Sequence, residues 1–248
     1  MSLRRRGLWL AFGCLFVFYS VLLFSPPPVG EWVRGEAVQP AAVWSVAGRF
    51  LLALNVFFPV IVGMFSSDRL LRDRTLALRE LQDSTALGRP TYVLGKYLGV
   101  LLSFLLPVLL WALAIGVVMT ARGHTPASFL WAVSVAFLAI TVPAFAFVVA
   151  FSLACPLLMP RSAYQILFTG YWFWGNFVPP NLLPTLNGTL LTPSGIYAWQ
   201  GFFGGHSAIS GAARTAGSAS LNLAVLALCI VAVLIAVERT LAWRSQRA

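Results

Sequence analysis

Acid–base, nucleophilic or metal chemistry has few residues to work with in this chain: two histidines, three cysteines and seven carboxylates among 248 positions. His124 and His206 are isolated, and each reads as a solvated surface side chain rather than half of a catalytic pair. No His-Glu-x-x-His, Gly-x-Ser-x-Gly or Cys-x-x-Cys pattern occurs, and no paired carboxylates stand ready for general acid–base work. Cys14, Cys155 and Cys229 each lie inside an apolar run, where packing explains them better than a disulfide or a metal. Gly95-Lys96 looks like the end of a phosphate-binding loop. However, Pro90 stands where the first glycine belongs, and Tyr97 where a hydroxyl should meet magnesium. Glu31, Arg34 and Glu36 read as a solvated turn. The expectation is a chain with no catalytic residues, no metal ligands and no cofactor or nucleotide-hydrolysis site of its own.

The elements that carry these residues are made for lipid. Hydrophobic residues make up 59% of the chain and charged residues 10%, against roughly a quarter charged in soluble domains. The mean hydropathy is +0.85. Such a chain cannot cover its apolar atoms in water, so it is expected to be an all-α integral membrane protein forming one transmembrane domain over residues 1–248. A hydrocarbon core about 30 Å thick takes about 20 helical residues to cross. Six uncharged runs meet or approach that length: Gly7 to Phe24, Phe50 to Phe65, Tyr97 to Thr120, Ala127 to Met159, Ser162 to Val178 and Ala219 to Val237. The fourth is too long for one upright helix, and Pro143 and Pro156 predict a kink or an extension past the bilayer. The first follows Arg4 to Arg6 as a signal peptide would, but Ser25-Pro26-Pro27-Pro28 offers no small-residue cleavage site, so this run is expected to stay.

The formal charge of +10 is spread over loops between the runs rather than gathered on one face, which argues for membrane topology and against nucleic acid. Thirteen of the seventeen basic residues fall in one alternating set of segments: the N-terminus, the loop from Ser66 to Lys96, Arg161 and the C-terminal tail. Arg34, Arg49, Arg122 and Arg214 fall in the other. The positive-inside rule therefore predicts both termini in the cytoplasm. None of the six runs contains Asp or Glu, which disfavours an ion-driven carrier, because such carriers hold their coupling ion at a polar site near mid-membrane. The milder polar groups Asn55, Gln165, Asn176 and Asn222 either bond neighbouring helices or line a path.

Two loops stand out. Pro179 to Ser218 is nearly uncharged and rich in Gly, Pro and aromatics. It reads either as short helices re-entering the membrane between spans five and six, or as an interfacial loop anchored by Tyr197, Trp199 and Phe202. Ser66 to Lys96, between spans two and three, is the charge-dense part of the chain. At 100° per residue, Leu70, Leu71, Ala77, Leu78 and Leu81 form one stripe of a helix over Asp68 to Leu87. Asp68, Arg69, Arg72, Asp73, Arg79, Glu80 and Asp83 take the other side, while Arg74 falls in the apolar stripe. Interleaved acids and arginines suit either ion pairs with a protein surface or internal ion pairs on a solvated loop.

At these residues the chain resembles the permease subunits of type-two ATP-binding-cassette exporters. The likeness runs through Asp68-Arg69-Leu70, Arg72-Asp73-Arg74, Glu80-Leu81, Ser84-Thr85, Arg89 and Tyr92-Val93-Leu94-Gly95-Lys96-Tyr97-Leu98-Gly99, with Leu191-Thr192-Pro193 a further echo in the last large loop. Ala77 replaces a frequent Gly and Ala86 a frequent Pro. The resemblance implies an export permease of the cell membrane, paired with a second permease, identical or related, and with separate ATPase subunits that bind ATP and magnesium. It implies that the Asp68 to Leu87 helix is the coupling element, with Asp68, Arg69, Arg72, Asp73, Arg74, Arg79, Glu80, Asp83, Arg89 and Lys96 facing the ATPase. Lys96 also reads as a plain interface anchor. A substrate path lined by the second and fifth spans would include Asn55, Phe57, Phe58, Tyr171, Trp172, Trp174 and Asn176, each of which also suits packing within the bundle or against membrane lipids. The alternative function is a non-transporting anchor or assembly subunit that docks a cytoplasmic partner through the same charged loop.

Overall fold

A computed structural model describes residues 6–24, 39–67, 69, 88–180, 182–206 and 214–245. Among them the only regular structure is helical. Helix α1 spans Arg6–Phe24, and α2 spans Val43–Ser66 behind a 3₁₀ turn at Pro40–Ala42. Helix α3 spans Arg89–Ala121. A long rod follows, made of α4 (Ser128–Ala136), a π-helical turn (Phe137–Thr141), α5 (Val142–Ala154) and a 3₁₀ turn (Cys155–Leu157). Helix α6 spans Arg161–Phe177, the short α7 Ile196–Phe203, and α8 Ala216–Ser245. Among the described residues five segments are long and apolar enough to cross a membrane: Gly7–Phe24, Val43–Ser66, Pro90–Ala121, Ser128–Leu157 and Ala216–Trp243. Helix α6 has 17 residues and is therefore about 25 Å long at 1.5 Å per residue.

The helices overrun the uncharged runs. Helix α2 starts at Val43 rather than Phe50 and carries Arg49 exposed on its side; α3 starts at Arg89 rather than Tyr97 and carries Lys96. A charge ends a hydrophobic run in the sequence but does not end a helix, because a long basic side chain can lie along the surface with its head in a polar layer. Pro90 sits in the first turn of α3, where its missing N–H costs nothing. Likewise, α8 runs on through Glu238 and Arg239 to Ser245.

Pro143 neither breaks the fourth segment nor sharply ends it. The π-turn immediately before it widens the backbone where the proline ring would collide with the carbonyl four residues earlier, and the rod continues.

Along the chain, α1, α2, α3, the α4–α5 rod, α6 and α8 alternate in direction, so α1 and α3 pack as parallel neighbours. Tyr19 O–H donates to Ala53 O (2.6 Å), tying α1 to α2, and Tyr97 O–H donates to Ala146 O (3.2 Å), tying α3 to α5. The ring of Phe12 stacks on Phe104 and that of Phe16 on Trp111, so α1 lies in a groove between α2 and α3. The ends of α2 and α5 and the starts of α3 and α6 consequently meet at one end of the bundle, which also holds the described Arg69, Lys96 and Arg161. Arg49, Arg122 and Arg214 lie toward the opposite end. There the Arg122 guanidinium sits 5.1 Å from the centre of the Phe24 ring.

Candidate functional site

At the first end, the chain enters the charged segment through a compact knot. The last carbonyls of a helix lack intrahelical donors. Here Ser67 Oγ donates to Met64 O (2.7 Å), Gln165 Nε2 on α6 donates to the same carbonyl (3.1 Å) and to Ser67 Oγ (3.3 Å), and Arg69 Nε donates to Phe65 O (3.3 Å). Arg69 is buried, with its cation against the negative end of the α2 dipole. The same end of α6 is fastened to α5. Ser152 Oγ donates to Val148 O (2.6 Å), which leaves Tyr164 O–H to donate to Ser152 Oγ (2.6 Å). The termini of α2, α5 and α6 therefore form one joint where the Asp68 to Leu87 segment begins.

Of the residues assigned to coupling, Arg69 lies in this knot and Lys96 lies half-buried on α3, two turns past its start. Asp68, Arg72, Asp73, Arg74, Arg79, Glu80 and Asp83 fall outside the described residues, as does the side chain of Arg89. Gly95 and Gly99 have the small-xxx-small spacing that permits close helix approach, but neither has anything within 4 Å of a would-be Cβ among the described residues.

The path residues separate by exposure. Asn55, Phe58, Trp172 and Asn176 are buried inside this single chain; Tyr171 is half-buried; Phe57 and Trp174 are exposed, at 39% and 44%. Trp172 Nε1 donates to Val56 O (3.0 Å), one turn ahead of Pro59, and Asn176 Nδ2 donates to Trp172 O (3.0 Å). Phe57 meets Phe173 across the α2–α6 face with ring centroids 5.9 Å apart.

A second polar joint lies deep in the bundle. Asn55 is twelve residues into α2, about 18 Å along its axis. Its Nδ2 donates to Ile140 O in the π-turn (3.2 Å) and to Ser194 O in the loop after α6 (3.1 Å). On the other side, Asn222 Nδ2 of α8 donates to Leu190 O (2.8 Å) and Thr192 O (3.1 Å). Residues 190–194 thus form a strap held between α2 and α8 by two amide side chains, each spending both its hydrogens. Asn55 Oδ1, Thr141 Oγ1 and Ser194 Oγ are fully buried around this joint with no partner among the described residues. Each such group costs about 1–3 kcal/mol.

Helix α7 continues the strap toward the far end. Trp199 packs against Gly48 and Gly205 and donates Nε1–H to Ser45 O (3.0 Å). Tyr197 O–H donates to Gly188 O (2.6 Å), and the Arg214 guanidinium stacks 4.0 Å from the Tyr197 ring centre. Burial lowers the Arg214 pKa below its ordinary value, and Tyr197 works in the opposite direction.

The composition of this loop signalled that it was unusual. Nothing in the sequence singled out Ser194 and Ile140, because their carbonyls, not their side chains, make the contacts. Gly195 provides a check on the strap's fit. It and Gly188 both have left-handed backbones, at φ +89° and +94°, but only at Gly195 would a Cβ fall 2.5 Å from Ile140 Cγ2; Gly188 faces open space. Gly188→Ala is expected to cost about 1–2 kcal/mol from backbone strain alone, and Gly195→Ala clearly more. Thermal unfolding of the two variants side by side checks this.

Among the described residues no group of three or more histidine, cysteine or acidic side chains is placed to hold a metal ion. Comparison with protein-family models, with curated proteins and with solved structures gives no match to this chain.

Proposed function

We propose that this chain is a permease subunit of a type-two ATP-binding-cassette exporter in the cell membrane. In this reading α6 serves as a sixth span, fifth in chain order, and both termini face the cytoplasm with the basic end of the bundle. The strap and α7 form a re-entrant element. A second permease, identical or related, completes the path, and separate ATPase subunits bind ATP and magnesium.

The observation that carries the proposal is where the described chain enters and leaves the mixed-charge segment. The segment leaves α2 at a joint that also fastens α5 and α6, and it rejoins the bundle at α3. A push on that segment reaches these four helices at once, as a coupling element requires. Exposed Phe57 and Trp174 remain the side chains best placed to meet a substrate or the second permease.

The test is co-purification of the detergent-solubilised protein with its native partners, comparing wild type with the charge reversal Arg72→Glu, Asp73→Arg, Arg79→Glu and Glu80→Arg. An ATPase subunit is expected with wild type and absent from the reversed variant. If no nucleotide-binding protein accompanies wild type, the chain has no energy source and the anchoring function takes over.

A further inference from the structure

We propose that the strap Leu190–Ser194 is a displaceable latch, held shut by the Asn55 and Asn222 amides, whose withdrawal opens a water-accessible recess reaching to Asn55 at the middle of α2.

Four features of the strap support this. The ties from α2 and α8 are hydrogen bonds from two neutral side chains, Asn55 on Ser194 O and Asn222 on Leu190 O and Thr192 O. The closed joint leaves Asn55 Oδ1, Thr141 Oγ1 and Ser194 Oγ buried without partners among the described residues, so entering water restores hydrogen bonds there. Release therefore costs less than the number of broken bonds implies. Left-handed glycines bracket the strap at Gly188 and Gly195, which places pivots at both ends. Finally, the bond from Tyr197 O–H to Gly188 O clasps the chain at or just outside the two pivots, so the strap has fixed ends to swing between. The device belongs to this chain alone and stands whether or not an ATPase binds.

The test uses the full chain in detergent micelles, with Cys14, Cys155 and Cys229 replaced by serine and a single reporter introduced as Ser194→Cys. A water-soluble maleimide reads access to this buried position. Leu191→Cys, at a side chain 43% exposed, serves as the open reference. With both amides present the Ser194→Cys reporter is expected to react much more slowly than the reference. Asn222→Ala and Asn55→Ala are each expected to raise its rate about fivefold or more, leaving the Leu191→Cys rate unchanged. Asn222→Ala, nearer the end of the bundle, decides the matter even where Asn55→Ala does not fold. If Ser194→Cys already reacts as fast as Leu191→Cys with both amides present, the strap is not held shut. If folded Asn222→Ala, checked by an unchanged elution profile, leaves the reporter protected, the amide is not a latch. Either result overturns the proposal. Because no partner protein is involved, its failure is separate from failure of the co-purification experiment.

Discussion

Replacing Trp172 by alanine is expected to destabilise the protein by about 3–5 kcal/mol, a drop in thermal midpoint on the order of 10 °C for a chain of this size. The indole is fully buried. It touches Phe168 and Phe177 on its own helix and donates to Val56 O of α2. Lipid outside the bundle is as apolar as the side chain, so transfer from water contributes little here. The loss comes from the cavity and from the forfeited packing between α2 and α6. Trp172→Phe keeps most of the volume and removes the indole donor, so it is expected to cost about 1 kcal/mol. Thermal unfolding in detergent separates the two contributions. A Trp172→Ala variant as stable as wild type would mean that this residue faces a cavity or a partner rather than the α2–α6 seam.

The same seam gives the second large effect. A Cβ on Gly63 would lie 2.2 Å from the Phe168 ring, and that ring is pinned by stacking on Tyr164 and by contact with Trp172. Gly63→Ala is expected to cost about 1–3 kcal/mol by overpacking. In a Phe168→Ala background the added methyl enters vacated space, so the same substitution is expected to be neutral or favourable there. A double-mutant cycle on thermal stability reads the difference as a coupling energy of about 0.5–3 kcal/mol. Additive effects would show that the two helices do not meet at this point.

The membrane-type architecture was legible from composition and run length alone, since few charges over long apolar stretches permit little else. The bounds of α2 and α3 were not, because Arg49 and Lys96 interrupt a hydrophobic run without interrupting a helix. The division of the aromatic path candidates was also hidden. Lipid and protein interior present the same apolar surroundings, so residue type does not distinguish buried Trp172 from exposed Trp174 two positions later. Helical geometry does, since two residues subtend about 200°. The amides of Asn55 and Asn222 were visible as polar groups that either bond helices or line a path. Their partners are backbone carbonyls of a turn and a strap, which carry no residue signature.

The π-turn at Phe137–Thr141 amounts to one residue inserted into an otherwise α-helical rod. Because the wide turn spreads five residues over roughly the angle that four take in an α-helix, it absorbs the extra one, and deleting a residue there would restore a regular helix with everything downstream still in phase. Ser152 would still face Tyr164, and Ala146 Tyr97, while the turn that presents Ile140 O to Asn55 would change. The rod thus carries its extra amino acid as a local mark: the second half keeps its seating against α3 and α6 whether or not the residue is there, and the Asn55 amide reads the difference.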